Sequence, residues 1–384
     1  MGTSARRGRL AIAVTTAALI VSGGVATPLL TAGPAHASDL PGWNLPASVG
    51  GDEHNPQAME LASLSDGSAV AAWREGGNLT AAVRAADDDL WKRPGLSASG
   101  VTPRLPLRVA ADTTGGATLA WAESAASAPG TPLPATRLLA AALRGGTWSQ
   151  PQELLGDDAG SVVSAFQVAE GPRGTAVAVW SATAADGTDS GVYVARRGAG
   201  GAWSAPVAVV TVKAADGRID GADVAVAATG DAVIAYRHTV KDGLPGIRTI
   251  ERTGTDGTWS APAPAAAPIG GTGTPNAGAG PDGSLALTWP LQEAEGTDAE
   301  DLFASVKRPG AAWSTPARLP IRNTPLATTS EPLIAPDGDV TLVWREWWWA
   351  SGMDPGNTFA SATLASGGDT WERRQIGTPW LPGA

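Results

Sequence analysis

The sequence predicts an all-β fold, a six-bladed β-propeller of four-stranded antiparallel blades, and three observations predict it. A glycine stands six residues before a large aromatic at six places: Gly67 and Trp73, Gly115 and Trp121, Gly174 and Trp180, Gly230 and Tyr236, Gly283 and Trp289, Gly338 and Trp344. A second tryptophan follows each aromatic after 18 to 27 residues, at Trp91, Trp148, Trp203, Trp259, Trp313 and Trp371. A proline lies three residues beyond five of these, at Pro94, Pro151, Pro206, Pro262 and Pro316. Self-similarity at a period of roughly 55 residues is the mark of a repeat architecture.

The chain opens with a segment expected to be removed. Arg6, Arg7 and Arg9 form a basic start, an apolar run follows from Leu10, and Ala35-His36-Ala37 supplies the small residues a signal peptidase reads. A retained transmembrane anchor is disfavoured by Ser22-Gly23-Gly24, Pro28 and Pro34, which break the run short of about 20 residues. The expectation is a signal peptide over 1–37, export of the chain, and one propeller domain over 38–384. Arg6-Arg7 leaves both general and twin-arginine export open.

Within a repeat, the residues between glycine and aromatic are small and apolar, as in Ala69-Val70-Ala71-Ala72 and Ala176-Val177-Ala178-Val179. Such a run, opened by a glycine turn, fits a strand buried on both faces. The glycine is expected at positive φ, joining this strand to one before it. A third strand ends in a basic residue at Arg84, Arg144, Arg196, Arg252 and Lys307, and the second tryptophan then opens a fourth. Proline cannot donate to a ladder, so a proline recurring in the fourth strand places that strand outermost. Helical solenoids are disfavoured by 49 glycines, 30 prolines and the lack of a sustained 3.6-residue period.

Spacing separates the two ends of the ring. The interval from second tryptophan to the next aromatic holds at 30 to 33 residues, whereas that from aromatic to second tryptophan varies from 18 to 27. The variation falls on the loop between strands two and three, which shares a face with the connections between blades. Trp43 stands 30 residues before Trp73 and is followed by Pro46, so Trp43 to Val49 matches a fourth strand. It is either a surplus strand near the seam or a replacement for the Trp371 strand, which has Arg374 in place of proline.

Charge and composition narrow the function classes. Loss of Arg6, Arg7 and Arg9 would leave 24 basic against 37 acidic residues, a formal charge of −13. That balance is adverse to nucleic acid and to anionic membrane, whose affinity rests on Lys and Arg. No cysteine is present, which excludes disulfides, cysteine-bound metal and a lipid-anchored cysteine. His54 and His238 are the histidines beyond the leader, too few for a histidine-based metal site. The acid-rich stretches Asp186-Gly187-Thr188-Asp189 and 293–301 lack calcium-loop spacing and read as solvated loops. No metal and no cofactor are expected.

The turns Gly145-Gly146-Thr147-Trp148, Gly200-Gly201-Ala202-Trp203, Gly310-Ala311-Ala312-Trp313 and Gly368-Asp369-Thr370-Trp371 carry a resemblance. They look like the end of the Asp-box turn of sialidases and other proteins with bacterial neuraminidase repeats, although the Ser-x-Asp part is absent. The chain also resembles secreted repeat proteins of high-GC actinobacteria. The sialidase resemblance implies a six-bladed propeller and, for an enzyme, three arginines on a carboxylate with a tyrosine nucleophile activated by a glutamate. Tyr236 would be the candidate nucleophile, its other reading being a core aromatic. Tyr193 reads as packing within a third strand.

Residues just beyond the second-strand aromatics form the candidate site. They include Arg74-Glu75, Glu123, Arg237-His238 and Arg345-Glu346. Arg74, Arg237 and Arg345 suit recognition of a carboxylate or polyhydroxyl ligand, and Glu75, Glu123 and Glu346 suit acid/base work on a glycosidic bond. The alternative is a set of rim ion pairs. Trp347-Trp348-Trp349 follows Glu346, and three adjacent side chains of a strand cannot all enter one core. They suit sugar faces or a protein partner, or else pack over the seam. The leading expectation is a secreted binding module for a glycan or cell-envelope polymer. A sialidase-like glycoside hydrolase and an extracellular protein-interaction scaffold are the alternatives.

Overall fold

The computed structural model describes residues 57–376, except 89, 103–104, 113, 125–135, 157–159, 266–272, 293–299, 320–327, 330–331 and 349–355. The leader and the Trp43 to Val49 segment therefore lie outside the described residues. Six antiparallel sheets follow one another along the chain, each with its strands in sequence order. Blade 1 comprises β1 (Gln57–Ser63), β2 (Ala69–Glu75), β3 (Asn78–Arg84) and β4 (Ser97–Ala98). Blade 2 comprises β5 (Arg108–Ala111), β6 (Ala117–Ser124), β7 (Thr136–Arg144), β8 (Thr147–Trp148) and β9 (Gln152–Leu155). Blade 3 holds β10 (Ser161–Glu170), β11 (Ala176–Ala184), β12 (Asp189–Arg197) and β13 (Val207–Lys213). Blade 4 holds β14 (Gly217–Val226), β15 (Ala232–Val240), β16 (Pro245–Arg252) and β17 (Ala263–Pro264). Blade 5 holds β18 (Asn276–Ala279), β19 (Leu285–Gln292), β20 (Glu300–Lys307) and β21 (Ala317–Leu319). Blade 6 holds β22 (Thr328–Thr329), β23 (Leu333–Ile334), β24 (Val340–Trp348), β25 (Gly356–Leu364) and β26 (Trp371–Ile376).

The six aromatics all fall on second strands, and each of the last five packs onto the blade before it. Trp121 joins Val70, Ala72 and Leu79 of blade 1, and Trp180 joins Ala120, Leu138 and Ala140 of blade 2. Tyr236 sits on Val177, Val179 and Val192 of blade 3, Trp289 on Val233 and Ala235, and Trp344 on Leu302 and Ala304. Small and β-branched residues on the second strands let neighbouring sheets approach, and the aromatic fills the space where they diverge. Burying such a ring contributes about 3 kcal/mol or more. Trp73 clusters with Leu61, Ala71, Ala82 and Trp91 of its own blade. Tyr193 stacks on Trp180 with centroids 6.0 Å apart, a cross-strand pair within blade 3.

The repeat glycines have φ between 75° and 92°, the left-handed region where a side chain is strained. In blades 1, 4, 5 and 6 the turn closes with the glycine N–H on the carbonyl three residues back, as from Gly67 to Leu64 at 3.0 Å, whereas in blade 3 it closes from Thr175 to Pro172 at 3.2 Å. At the other end, the second and third strands are joined by Gly76-Gly77 in blade 1 but by 185–188, 241–244 and 349–355 in blades 3, 4 and 6. The length variation therefore sits where the intervals placed it.

The fourth strand departs from the expectation in one respect. The prolines do not lie within it but at a break: β13, β17 and β21 begin directly after Pro206, Pro262 and Pro316, while Trp203 and Trp313 form separate bridges to Arg197 and Lys307. The serine after Trp148, Trp203, Trp259 and Trp313 holds the break. In blade 5 the Ser314 N–H donates to the Val306 carbonyl at 2.9 Å, and the Ser314 hydroxyl accepts the Val306 N–H at 3.0 Å. Ser149, Ser204 and Ser260 do the same with Ala142, Arg196 and Glu251. The hydroxyl replaces the serine's own carbonyl as ladder acceptor. In blade 1, where Lys92 takes the serine's place, Val83 and Lys92 exchange ordinary backbone bonds.

A second correction concerns the end of the third strand in blade 3. The residue stacked on Trp203 there is Arg197, not Arg196, at 5.2 Å from the ring centroid, as Arg252 stacks on Trp259 at 5.1 Å. The rival reading of the Trp43 segment also fails. The Trp371 strand is in place, with all six residues of β26 paired to β25.

Candidate functional site

The candidate residues stand at the variable-loop ends of the second strands, and each has acquired particular neighbours. The Arg74 side chain is 7 % exposed and donates from Nη1 to the Thr102 carbonyl at 3.2 Å, in the connection between blades 1 and 2. Burial holds its pKa below the usual arginine range. Arg237 pairs through Nε with Asp220, the residue opposite it on β14, and Asp220 also lies 3.3 Å from Arg218 Nε. Arg345 is half-buried on β24, opposite Thr328 and Phe359. The partners of Arg74 and Arg237 thus lie in different blades.

The glutamates serve the tryptophans two residues before them. Trp73 Nε1 donates to Glu75 Oε1 at 2.8 Å, and Trp121 Nε1 donates to Glu123 Oε1 at 3.0 Å. Residues two apart on a strand share a side, so an acid there caps the indole N–H. Glu123 is also 3.4 Å from Arg137. In blade 3 the corresponding residue is Ala182, and Trp180 Nε1 is buried without a hydrogen-bond partner. Glu346, Trp347 and Trp348 close β24 opposite Thr358, Asn357 and Gly356. Trp349 lies outside the described residues. Tyr236 is 1 % exposed, and burial pushes its phenol up to about 12. In that packing it is a protonated core aromatic at neutral pH.

One concavity gathers polar groups on this face. A cleft of about 460 Å³ opens at the seam of blades 3 and 4, within the range of small-ligand sites. Asp189 opens β12, Thr211 and Lys213 close β13 with Lys213 opposite Asp189, Asp216 lies in the connection to β14, and His238 ends the second strand of blade 4. Short backbone bonds fix this corner: Ala214 N–H to Thr188 O at 2.7 Å and Lys241 N–H to Asp216 O at 3.0 Å. Among the described residues nothing pairs with the Asp189 and Asp216 carboxylates or the Lys213 ammonium. His238 Nε2 is buried without a partner. Desolvation, and then the Arg248 charge, lower the His238 pKa, so the imidazole is neutral at pH 7.

Of the sequence candidates, only His238 lines this cleft; Arg237, its neighbour in sequence, is taken up by Asp220. Asp189 belonged to a stretch read as a solvated loop, whereas Thr211, Lys213 and Asp216 were missed. Their signal was the length of the outer strand in blade 3. Asp186 in that loop accepts the Thr188 N–H and hydroxyl at 3.0 and 2.7 Å, which lowers its pKa. Among the described residues no three acidic or histidine side chains are arranged to hold a metal ion, and no helix is long and apolar enough to cross a membrane.

No protein-family model matches the chain, and no curated protein sequence matches it. Solved structures do. A PL25 polysaccharide lyase, an ulvan lyase, is similar at a TM-score of 0.50 and 11% identity, over 87% of this chain and 83% of that one. The Hadza microbial sialidase Hz136 is similar at 0.48 and 14%, over 76% of this chain, which spans 63% of the sialidase's length. The fucose-specific lectin from Aleuria aurantia is similar at 0.41 and 14%, over 85% of this chain and 98% of the lectin. These are likenesses of fold. Six successive antiparallel sheets, four of four strands and two with a fifth short strand, and the likeness to the ulvan lyase identify the chain as a six-bladed β-propeller, the architecture its Gly-x-Thr/Ala-Trp turns implied.

Proposed function

We propose that the chain is a secreted propeller that binds an extracellular glycan or cell-envelope polymer in the cleft between blades 3 and 4. The observation that carries this reading is the set of Asp189, Thr211, Lys213, Asp216 and His238 side chains around one concavity, with their charges left without protein partners. A polyhydroxyl ligand is donor and acceptor at each hydroxyl, so it needs both kinds of group at close spacing. The carboxylates accept, the ammonium donates, and the threonine does either. Val212 and Val240 give the cleft apolar wall against which a sugar ring can lie. Proteins of this fold include one named for a polysaccharide, the ulvan lyase.

The test is binding of the purified protein to an array of bacterial and plant polysaccharides. The Asp189→Ala/Lys213→Ala variant is expected to lose at least about tenfold in affinity, two charge-assisted hydrogen bonds being worth that or more. Unchanged binding would reject the cleft as the site, and a Trp347→Ala/Trp348→Ala/Trp349→Ala variant would then locate it on blade 6. A panel of fluorogenic glycosides, sialosides included, separates binding from hydrolysis. Glu75 and Glu123 cap indoles and Tyr236 is buried, so no turnover is expected.

A further inference from the structure

We infer that the outer edge of blade 3, strand β13, pairs antiparallel with β13 of a second copy of this chain. An outermost strand leaves a row of N–H and C=O groups without partners, and natural sheets keep such edges short, charged or interrupted by proline. Five of the blades obey that rule. Their outer strands are β4 with two residues, β8 and β9 with two and four, β17 with two and β21 with three. In blade 6 the longer β26, Trp-Glu-Arg-Arg-Gln-Ile, carries three consecutive charges at Glu372, Arg373 and Arg374.

Blade 3 breaks the rule. β13 runs seven residues as Val-Ala-Val-Val-Thr-Val-Lys, with no proline, no acid and five β-branched residues. Its side chains are exposed or half-buried along the whole strand, and Val207 is 61 % exposed. Seven residues offer an edge about 24 Å long, bent at one bulge where Val209 stands outside the β12 register, beyond which Val210 to Lys213 pair without interruption. The serine break before Pro206 sits at one end of the strand and guards none of this length.

Three features select a second copy as the occupant. An antiparallel pair of identical edges is complementary to itself, since each outward N–H meets an outward C=O across a two-fold axis. The strand's one charge, Lys213, is at its end, so the two lysines of such a pair stand far apart. The chain carries 37 acidic against 27 basic residues, so copies repel over most of their surface, and an acid-free edge is where they can meet. A ladder of this length buries less than a standard interface, and the dimer is accordingly weak and reversible. Because β13 runs from the short-turn end to the variable-loop end, antiparallel pairing points the two variable-loop faces in opposite directions. A dimer would therefore be bivalent for anything bound there. The pairing itself does not depend on the proposed ligand.

Sedimentation velocity from about 1 µM to about 1 mM tests it, a range covering weak complexes. The weight-average mass should climb from one chain toward two. Val207→Glu/Thr211→Glu sets four acids along the joined edges and should weaken association at least tenfold, as should Val207→Lys/Thr211→Lys. An equimolar mixture of the two variants should associate again. Both positions are exposed, and near-UV circular dichroism of the buried tryptophans shows whether each variant stays folded. A monomer throughout the range overturns the inference. So does a glutamate variant that associates like the parent, or a mixture that fails to recover.

Discussion

The short-turn end of blades 2 and 3 and the variable-loop end of blades 3 and 4 use the same kinds of side chain to opposite effect. At the short-turn end, Glu170 closes β10 with its side chain fully buried, and its Oε1 lies 2.8 Å from Arg197 Nη2 and 3.5 Å from Arg144 Nη2. Thr118 donates its hydroxyl to the same oxygen and receives Arg197 Nη1 at 2.8 Å. Asp112, also buried, lies 3.2 Å from Arg144 Nη1. The buried carboxylates are each answered by a guanidinium from the end of a third strand. At the variable-loop end, Asp189, Lys213, Asp216 and His238 stand round a cleft with no such answer. The difference teaches where to look for function in a ring of near-identical blades: where charge is left for a ligand to complete.

The largest expected effect breaks the neutralised end. Removing one partner from a buried ion pair leaves the other charge buried and alone, which costs about 3–5 kcal/mol. Glu170→Ala strands Arg197, whose side chain is 4 % exposed, and urea denaturation should show a loss of that size. Glu170→Gln, which keeps an acceptor, should lose less. A loss below about 1 kcal/mol for the alanine variant would mean the cluster is not the clamp its burial suggests.

The serine breaks belong to the same end and give a smaller effect. Ser314→Ala deprives the Val306 N–H of its acceptor, at a cost of about 1 kcal/mol. The matched control is Lys92→Ala in blade 1. Backbone atoms alone make that bridge, and the control should stay within about 0.5 kcal/mol. The cleft should behave in the reverse sense. Asp189→Ala/Lys213→Ala is expected within about 0.5 kcal/mol of the parent in stability, exposed surface positions being tolerant, while it loses ligand. A variant that instead melts with the Glu170 variant would make the cleft residues structural, and the contrast between the ends would fall.

The scaffold was legible because its causes are local and periodic. Gly283 is legible since a turn at φ 92° asks for glycine, and Trp289 since one ring per blade must fill the gap to the blade before. The proline three residues after tryptophan was visible as a repeat, yet the serine between them was passed over, because its role, a hydroxyl standing in for a carbonyl, is a contact between two strands. Arg74 and Arg237 look alike in sequence because they share a register. What separates them is the partner, Thr102 for one and Asp220 for the other, and partners are set by blade packing. Lys213, Asp216 and His238 meet across a seam, so no spacing along the chain announces them.

The smallest predicted effect sharpens the contrast through pH. The His238 pKa is held below its ordinary value, desolvation first and the Arg248 charge second. In the unfolded chain the imidazole titrates near 6.5, so just below that pH the unfolded state binds the proton more readily than the folded one. Stability is therefore complete above about pH 6.5 and falls as pH drops through the lower folded pKa. Denaturation midpoints measured between about pH 7.5 and 5 should decline less steeply in His238→Gln than in the parent.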